Sequence, residues 1–97
     1  MATPLTRDDI DSALEALPGW TFEGDKLHRE YRFQSFKEAL SFIVRIGMHA
    51  EEANHHPEIF NVYSTVKIAL NTHDTGGKVT GKDVDLAKVI EGVNWSS

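Results

Sequence analysis

The chain contains no cysteine. Thiol catalysis, thiolate metal sites and disulfides are therefore excluded, and the fold needs no oxidising compartment. Positive charge is scarce: ten Lys and Arg stand against fifteen Asp and Glu, for a formal net charge of −5, with no basic run. A nucleic-acid surface needs clustered cations to neutralise phosphates, so direct DNA or RNA binding is not expected. No apolar stretch approaches the roughly 20 residues of a membrane span. The polar segment from Met1 to Asp11 lacks the apolar core of a signal peptide, and a cytoplasmic location is expected. Long linkers and low-complexity tracts are also missing. With 97 residues, one domain covering 1–97 is the expectation.

What is present is a regular alternation of helix and strand signals. Thr6-Arg7-Asp8-Asp9 reads as a helix start with Thr6 as N-cap. Ile10, Ala13, Leu14 and Leu17 follow at helical spacing until Pro18-Gly19. Trp20-Thr21-Phe22-Glu23 alternates as a strand does, and Gly24-Asp25 marks a turn. Leu27, Arg29, Tyr31 and Phe33 then share one face of a second strand. Ser35-Phe36-Lys37-Glu38 has the capping-box pattern. The helix it opens is predicted to run to about Ala53. Its predicted core stripe is Phe36, Leu40, Ile43, Gly47 and Ala50, with Ala39 and Ile46 beside it. Pro57 stops it, because a residue before proline avoids the helical region. Glu58 to Tyr63 and Val66 to Asn71 read as a second hairpin, and Thr72 to Val79 as a loop. Thr80-Gly81-Lys82-Asp83 looks like another helix start, with Val84, Leu86, Ala87 and Ile90 facing a core. Asn94 to Ser97 are expected to fray, unless Trp95 anchors them. The order α-β-β-α-β-β-α predicts the α+β class: a four-stranded antiparallel sheet with three helices on one face.

Three of the five histidines, His55, His56 and His73, fall within nineteen residues. Imidazole moves protons near neutral pH, with an ordinary pKa of about 6.5. If the second hairpin pairs as drawn, the end of its last strand lies beside the start of its first. His73 then approaches the His55-His56-Pro57 joint. Such a cluster suits acid–base chemistry. It could also hold zinc, although no His-x-x-x-His lies on a helix, or His55 and His56 could simply cap a helix end. Glu51, four residues before His55, could orient an imidazole or face water. Asp83 sits three residues after Thr80, where a carboxylate satisfies backbone donors at a helix start.

Glu51-x-x-x-His55-His56-Pro57, Tyr63, Thr72-His73, Gly76-Gly77 and Asp83-Val84-Asp85-Leu86-Ala87 together resemble the pterin-4a-carbinolamine dehydratase family. The likeness runs from about Thr6 to Val93. It implies dehydration of a 4a-hydroxytetrahydropterin to the quinonoid dihydropterin in tetrahydrobiopterin recycling. It implies His55 and His73 as the acid–base pair and His56 as a positioning residue with acid–base help. Glu51, Pro57, Phe60, Asn61, Tyr63 and Asp83 would serve the substrate, with residues 60–63 walling the pocket and Asp83 orienting His73 or its loop. Two proton-handling groups suffice for this chemistry, so no metal or redox cofactor is implied. A homodimer or homotetramer is implied as well. A non-enzymatic dimerisation or coactivator-type binding module is the alternative from another class. Two positions depart from the family pattern: Ile59 replaces a frequent Trp, and the Gly76–Gly81 stretch is one residue longer than in many members.

Overall fold

Polar caps and two tight turns divide the chain into its elements. The structure, a computed structural model, describes residues 2–95. Thr6 and Asp9 form a reciprocal capping box that opens α1 (Arg7–Glu15). Strands β1 (Thr21–Glu23) and β2 (Lys26–Arg32) follow. Their two-residue turn, Gly24-Asp25, has positive φ at both positions, the geometry that matches strand twist in a hairpin. Helix α2 (Phe36–Ala53) starts on Ser35, whose hydroxyl accepts from the Glu38 backbone N–H. The expected box is only half formed, since the Glu38 carboxylate accepts from Trp95 Nε1 instead. Strands β3 (Glu58–Val62) and β4 (Thr65–Leu70) form the second hairpin, and α3 (Gly81–Val93) closes the chain.

The four strands form one antiparallel sheet in the order β1-β2-β4-β3. Leu27 and Tyr31 of β2 and Val66, Ile68 and Leu70 of β4 are buried, while their alternates are more open. This period of two places the core on one face, where the three helices lie.

Helix α2 corrects the predicted stripe. Its buried residues are Ala39, Phe42, Ile46 and Ala50. Phe36 and Leu40, assigned to the core from sequence, are exposed and continue as Val44 and Met48 along an outward apolar row. The helix is apolar on two faces, and periodicity alone cannot choose between them. At the other end, Trp95 packs near Phe33 and Phe42, with ring centroids 5.5 and 5.7 Å away. The tail expected to fray is therefore held at least to Trp95; Ser96 and Ser97 lie outside the described residues.

Candidate active site

The site begins with the way α2 ends. Asn54, not Pro57, stops the helix: it adopts the left-handed conformation, with φ 50° and ψ 42°. Its N–H bonds to Glu51 O at 3.0 Å, and the His55 N–H reaches back to Ala50 O at 3.0 Å. This pair of bonds is a Schellman motif, in which the residue after the left-handed one folds against the last helical turn. That residue is His55, and it is buried along with Ala50. Pro57 acts one step later, restricting His56 as the chain enters β3.

The β3–β4 register pairs Glu58 with Ala69. Continued past the strand ends, it brings the His55 joint to the level of Thr72. A cavity of about 240 Å³ opens there, and its walls include His55, His56, Asn71, Thr72, His73 and Lys82. The three imidazoles thus meet at one end of the sheet. A larger groove of about 410 Å³ between α2 and α3 shares His55 and Lys82 but neither of the other two histidines. The smaller cavity is the candidate site, because the proton-carrying groups converge there.

Each imidazole has a different environment. His55 Nε2 bonds to Asp83 Oδ1 at 2.5 Å, with the His side chain 10% exposed and the Asp 0%. No buried side-chain nitrogen or oxygen among the described residues lacks a partner. His55 Nδ1 makes no hydrogen bond and is not fully enclosed. His56 Nε2 bonds to Glu51 Oε1 at 2.7 Å, with both side chains in water. His73 opens a short 3-10 turn, His73–Thr75; it is exposed and its ring has no hydrogen-bond partner.

Asp83 joins two functions that the sequence shows separately. It is the third residue of α3, and its Oδ2 accepts from the Thr80 backbone N–H at 2.9 Å, completing a capping box. Its Oδ1 holds His55, not His73. This carboxylate was expected to orient His73 or its loop; it holds the loop at Thr72, and the imidazole it binds is His55. Sequence reasoning also missed Thr72 as more than a flank of His73. Its hydroxyl donates to Asp83 Oδ2 at 2.9 Å.

Phe60, Asn61 and Tyr63 do not reach the cavity. Phe60 lies on the sheet face away from the helices, under Lys67, whose Nζ is 5.7 Å from the ring centroid. The Asn61 amide donates to the carbonyls of Tyr63 and Thr65 and so clamps the hairpin turn. Tyr63 occupies that turn with φ 52° and is 76% exposed. At about 3.3 Å per residue, it lies a full strand length from His56. Ile59 pairs with Ile68 on the core side of the edge strand. Among the described residues, no group of three His, Asp or Glu side chains is arranged to hold a metal ion.

The chain matches known proteins along almost its whole length. A family model described as Pterin 4 alpha carbinolamine dehydratase matches residues 3–93. A protein of Opitutus terrae, provisionally named pterin-4-alpha-carbinolamine dehydratase, is 54% identical over 95 residues, 98% of each chain. One of Prochlorococcus marinus with the same provisional name is 47% identical over 89 residues, 92% of each chain. Among solved structures, a transcriptional coactivator/pterin dehydratase from Brucella melitensis is 34% identical, with a TM-score of 0.87 over 93% of this chain and 97% of that one.

Proposed function

The chain belongs to the pterin-4a-carbinolamine dehydratase family, and from that premise we propose that it dehydrates a 4a-hydroxytetrahydropterin to the quinonoid dihydropterin by histidine acid–base catalysis. The reaction breaks the C4a–O and N5–H bonds, forms a C4a=N5 double bond and releases water. A base must take the N5 proton and an acid must protonate the leaving oxygen.

The observation that carries this reading is one cavity holding two imidazoles in opposite circumstances. His55 is fixed, with a carboxylate on Nε2 and no hydrogen bond on Nδ1. A carboxylate behind an imidazole sets its tautomer and ring orientation, which suits His55 to take the N5 proton. His73 has no side-chain partner and can turn toward a hydroxyl on the pterin. The product states of the two are complementary, and one proton passed between them resets the site. His56, tied to Glu51, positions the substrate from the rim, and Pro57 stiffens the joint. Phe60, Asn61 and Tyr63 act on the hairpin rather than on the pterin of the same chain.

Cellular context follows as part of the same proposal: recycling of tetrahydrobiopterin or a related pterin, in the cytoplasm, by a homodimer or homotetramer. No helix among the described residues is long and apolar enough to cross a membrane. Support for self-association comes from β3, an edge strand with Phe60, Val62 and Tyr63 exposed, and from the outward row Phe36, Leu40, Val44 and Met48 on α2. The same surfaces favour the second reading, a coactivator-type binding module, a description borne by the Brucella relative.

Stopped-flow loss of the 4a-hydroxypterin absorbance tests the enzyme reading. His55→Ala and His73→Ala should each slow it by roughly 10²–10⁴-fold, the usual contribution of a positioned acid or base. Unchanged rates in the double variant would leave the binding module as the better reading.

A further inference from the structure

We infer that Thr72 is a positioning residue, whose hydroxyl sets the orientation of Asp83 and through it a single tautomer of His55, with the proton on Nε2 and a lone pair on Nδ1. The inference rests on the dehydratase reading for its catalytic consequence but not for the tautomer itself.

The argument is a count of protons. A threonine hydroxyl has one proton to give and two lone pairs. Thr80 Oγ1 accepts from the Lys82 N–H at 3.2 Å and from the Asp83 N–H of the capping box. Thr72 has one proton, and it goes to the Asp83 carboxylate, so the proton of the 2.7 Å contact between the two hydroxyls comes from Thr80 Oγ1. Thr72 Oγ1 is then an acceptor from Thr80, and its own proton goes to Asp83 Oδ2 at 2.9 Å. Oδ2 also takes the Thr80 N–H at 2.9 Å. With two donors on Oδ2 and the helix N-terminus favouring negative charge there, Asp83 is an acceptor on both oxygens. His55 Nε2 must therefore supply the proton of the remaining bond. Every proton in the network has one direction: from the first turn of α3 through two hydroxyls to Asp83 on one side, and from the imidazole to Asp83 on the other.

Thr72 can hold this order because its backbone is locked. Its N–H donates to Lys78 O at 2.8 Å, and its carbonyl accepts from the N–H groups of Thr75 and Gly77, both at 3.1 Å. Gly76 and Gly77, at φ 66° and 72°, let the loop fold back to make these bonds. Thr72 and Thr80 are 3% and 0% exposed, so water does not substitute for either hydroxyl. The residue thus serves both imidazoles: its side chain orders His55, and its backbone places the adjoining His73.

Thr72→Val keeps the shape and removes the hydroxyl; Thr72→Ser keeps the hydroxyl. Nitrogen-15 NMR of the His55 ring reads the tautomer, and steady-state kinetics on a 4a-hydroxytetrahydropterin reads the consequence. Wild type and Thr72→Ser should show the Nε2–H form alone. Thr72→Val should show mixed tautomers and lose ~10–100-fold in kcat, the range for removing a group behind a reacting imidazole, with little change in KM. A single Nε2–H tautomer and wild-type kcat in Thr72→Val would overturn the inference. Should that variant not fold, the wild-type spectrum still decides, because an Nδ1–H form of His55 contradicts the proton order outright. A protein that converts no 4a-hydroxypterin, yet shows the tautomer and its loss, would sink the dehydratase reading and leave this ordering intact.

Discussion

Two imidazole–carboxylate pairs lie on consecutive histidines and differ in almost everything but distance. His55–Asp83 spans 2.5 Å with side chains 10% and 0% exposed; His56–Glu51 spans 2.7 Å with side chains 61% and 79% exposed. The exposed pair gains little, because water screens it and two mobile side chains must be held together. The buried pair cannot be undone so easily. Asp83 has two further donors on its other oxygen, and losing either partner strands polar groups out of reach of water. The same contrast separates the two capping boxes. Thr6 and Asp9 form theirs in solvent and serve α1 alone, whereas Thr80 and Asp83 form theirs in the core and hold His55 too. Separation in space therefore says little about a pair. Burial and the remaining partners decide whether it specifies anything.

The contrast is broken most severely at Asp83. Asp83→Ala should cost about 3–5 kcal/mol in urea unfolding, as breaking buried ionic pairs does, and should abolish measurable dehydration. Asp83→Asn separates the two losses: it keeps the volume, but its amide can donate to His55 Nε2 and so favour the other tautomer. We expect at least ~100-fold loss of kcat from it, with a smaller stability change. His73→Ala comes next and should affect activity alone. The side chain is exposed and unpartnered, so its unfolding midpoint should stay within about 0.5 kcal/mol of wild type, while turnover falls as stated above.

A third carboxylate extends the comparison. Glu91 Oε1 accepts from Trp20 Nε1, Arg29 Nε and Tyr31 OH, at 2.8, 3.2 and 2.8 Å. Burial first, and then the hydrogen bond to Glu91 and its charge, push the Tyr31 phenol well above its ordinary value, which is about 10. Above that pH the unfolded chain releases the proton and the folded chain does not. The stability associated with this phenol is therefore full below pH ~10 and is lost as pH rises beyond it. Tyr31→Phe should flatten that alkaline decline in a pH series of thermal melts. The smallest effect belongs to Glu51→Gln. It should change stability by less than about 0.5 kcal/mol and kcat/KM by less than ~3-fold; a large fall in kcat would give the exposed pair a role equal to the buried one.

Much of this arrangement is legible in the sequence, and the parts that are not share a cause. The hairpin at Gly24-Asp25 and the caps at Thr6 and Thr80 depend on near neighbours, and near neighbours are what a sequence displays. The core face of α2 is not displayed, since Phe36, Leu40, Val44 and Met48 are as apolar as Ala39, Phe42, Ile46 and Ala50. Asn54 is a poor helix former at most positions, and only the finished Schellman motif shows why it ends the helix where Pro57 seemed sufficient. The partner of Asp83 lies 28 residues away, and that of Trp20 lies 71 away. Phe60, Asn61 and Tyr63 were assigned to the pocket by resemblance; strand geometry carries them off along the sheet edge.

Helix α3 is tied down near both ends, by Asp83 to the His55 joint and by Glu91 to the first hairpin. The consequence concerns the order of events as the chain is made. All three clustered histidines emerge before residue 80, yet His55 lacks its final partner until the last helix docks on contacts closed over 60 to 71 residues. Such distant closure is slow compared with forming a hairpin. A nascent chain ending at Lys78 would carry every imidazole of the candidate site and no Asp83 to order His55. The ordering of His55 therefore arrives in one step, when α3 docks, and not by gradual accumulation.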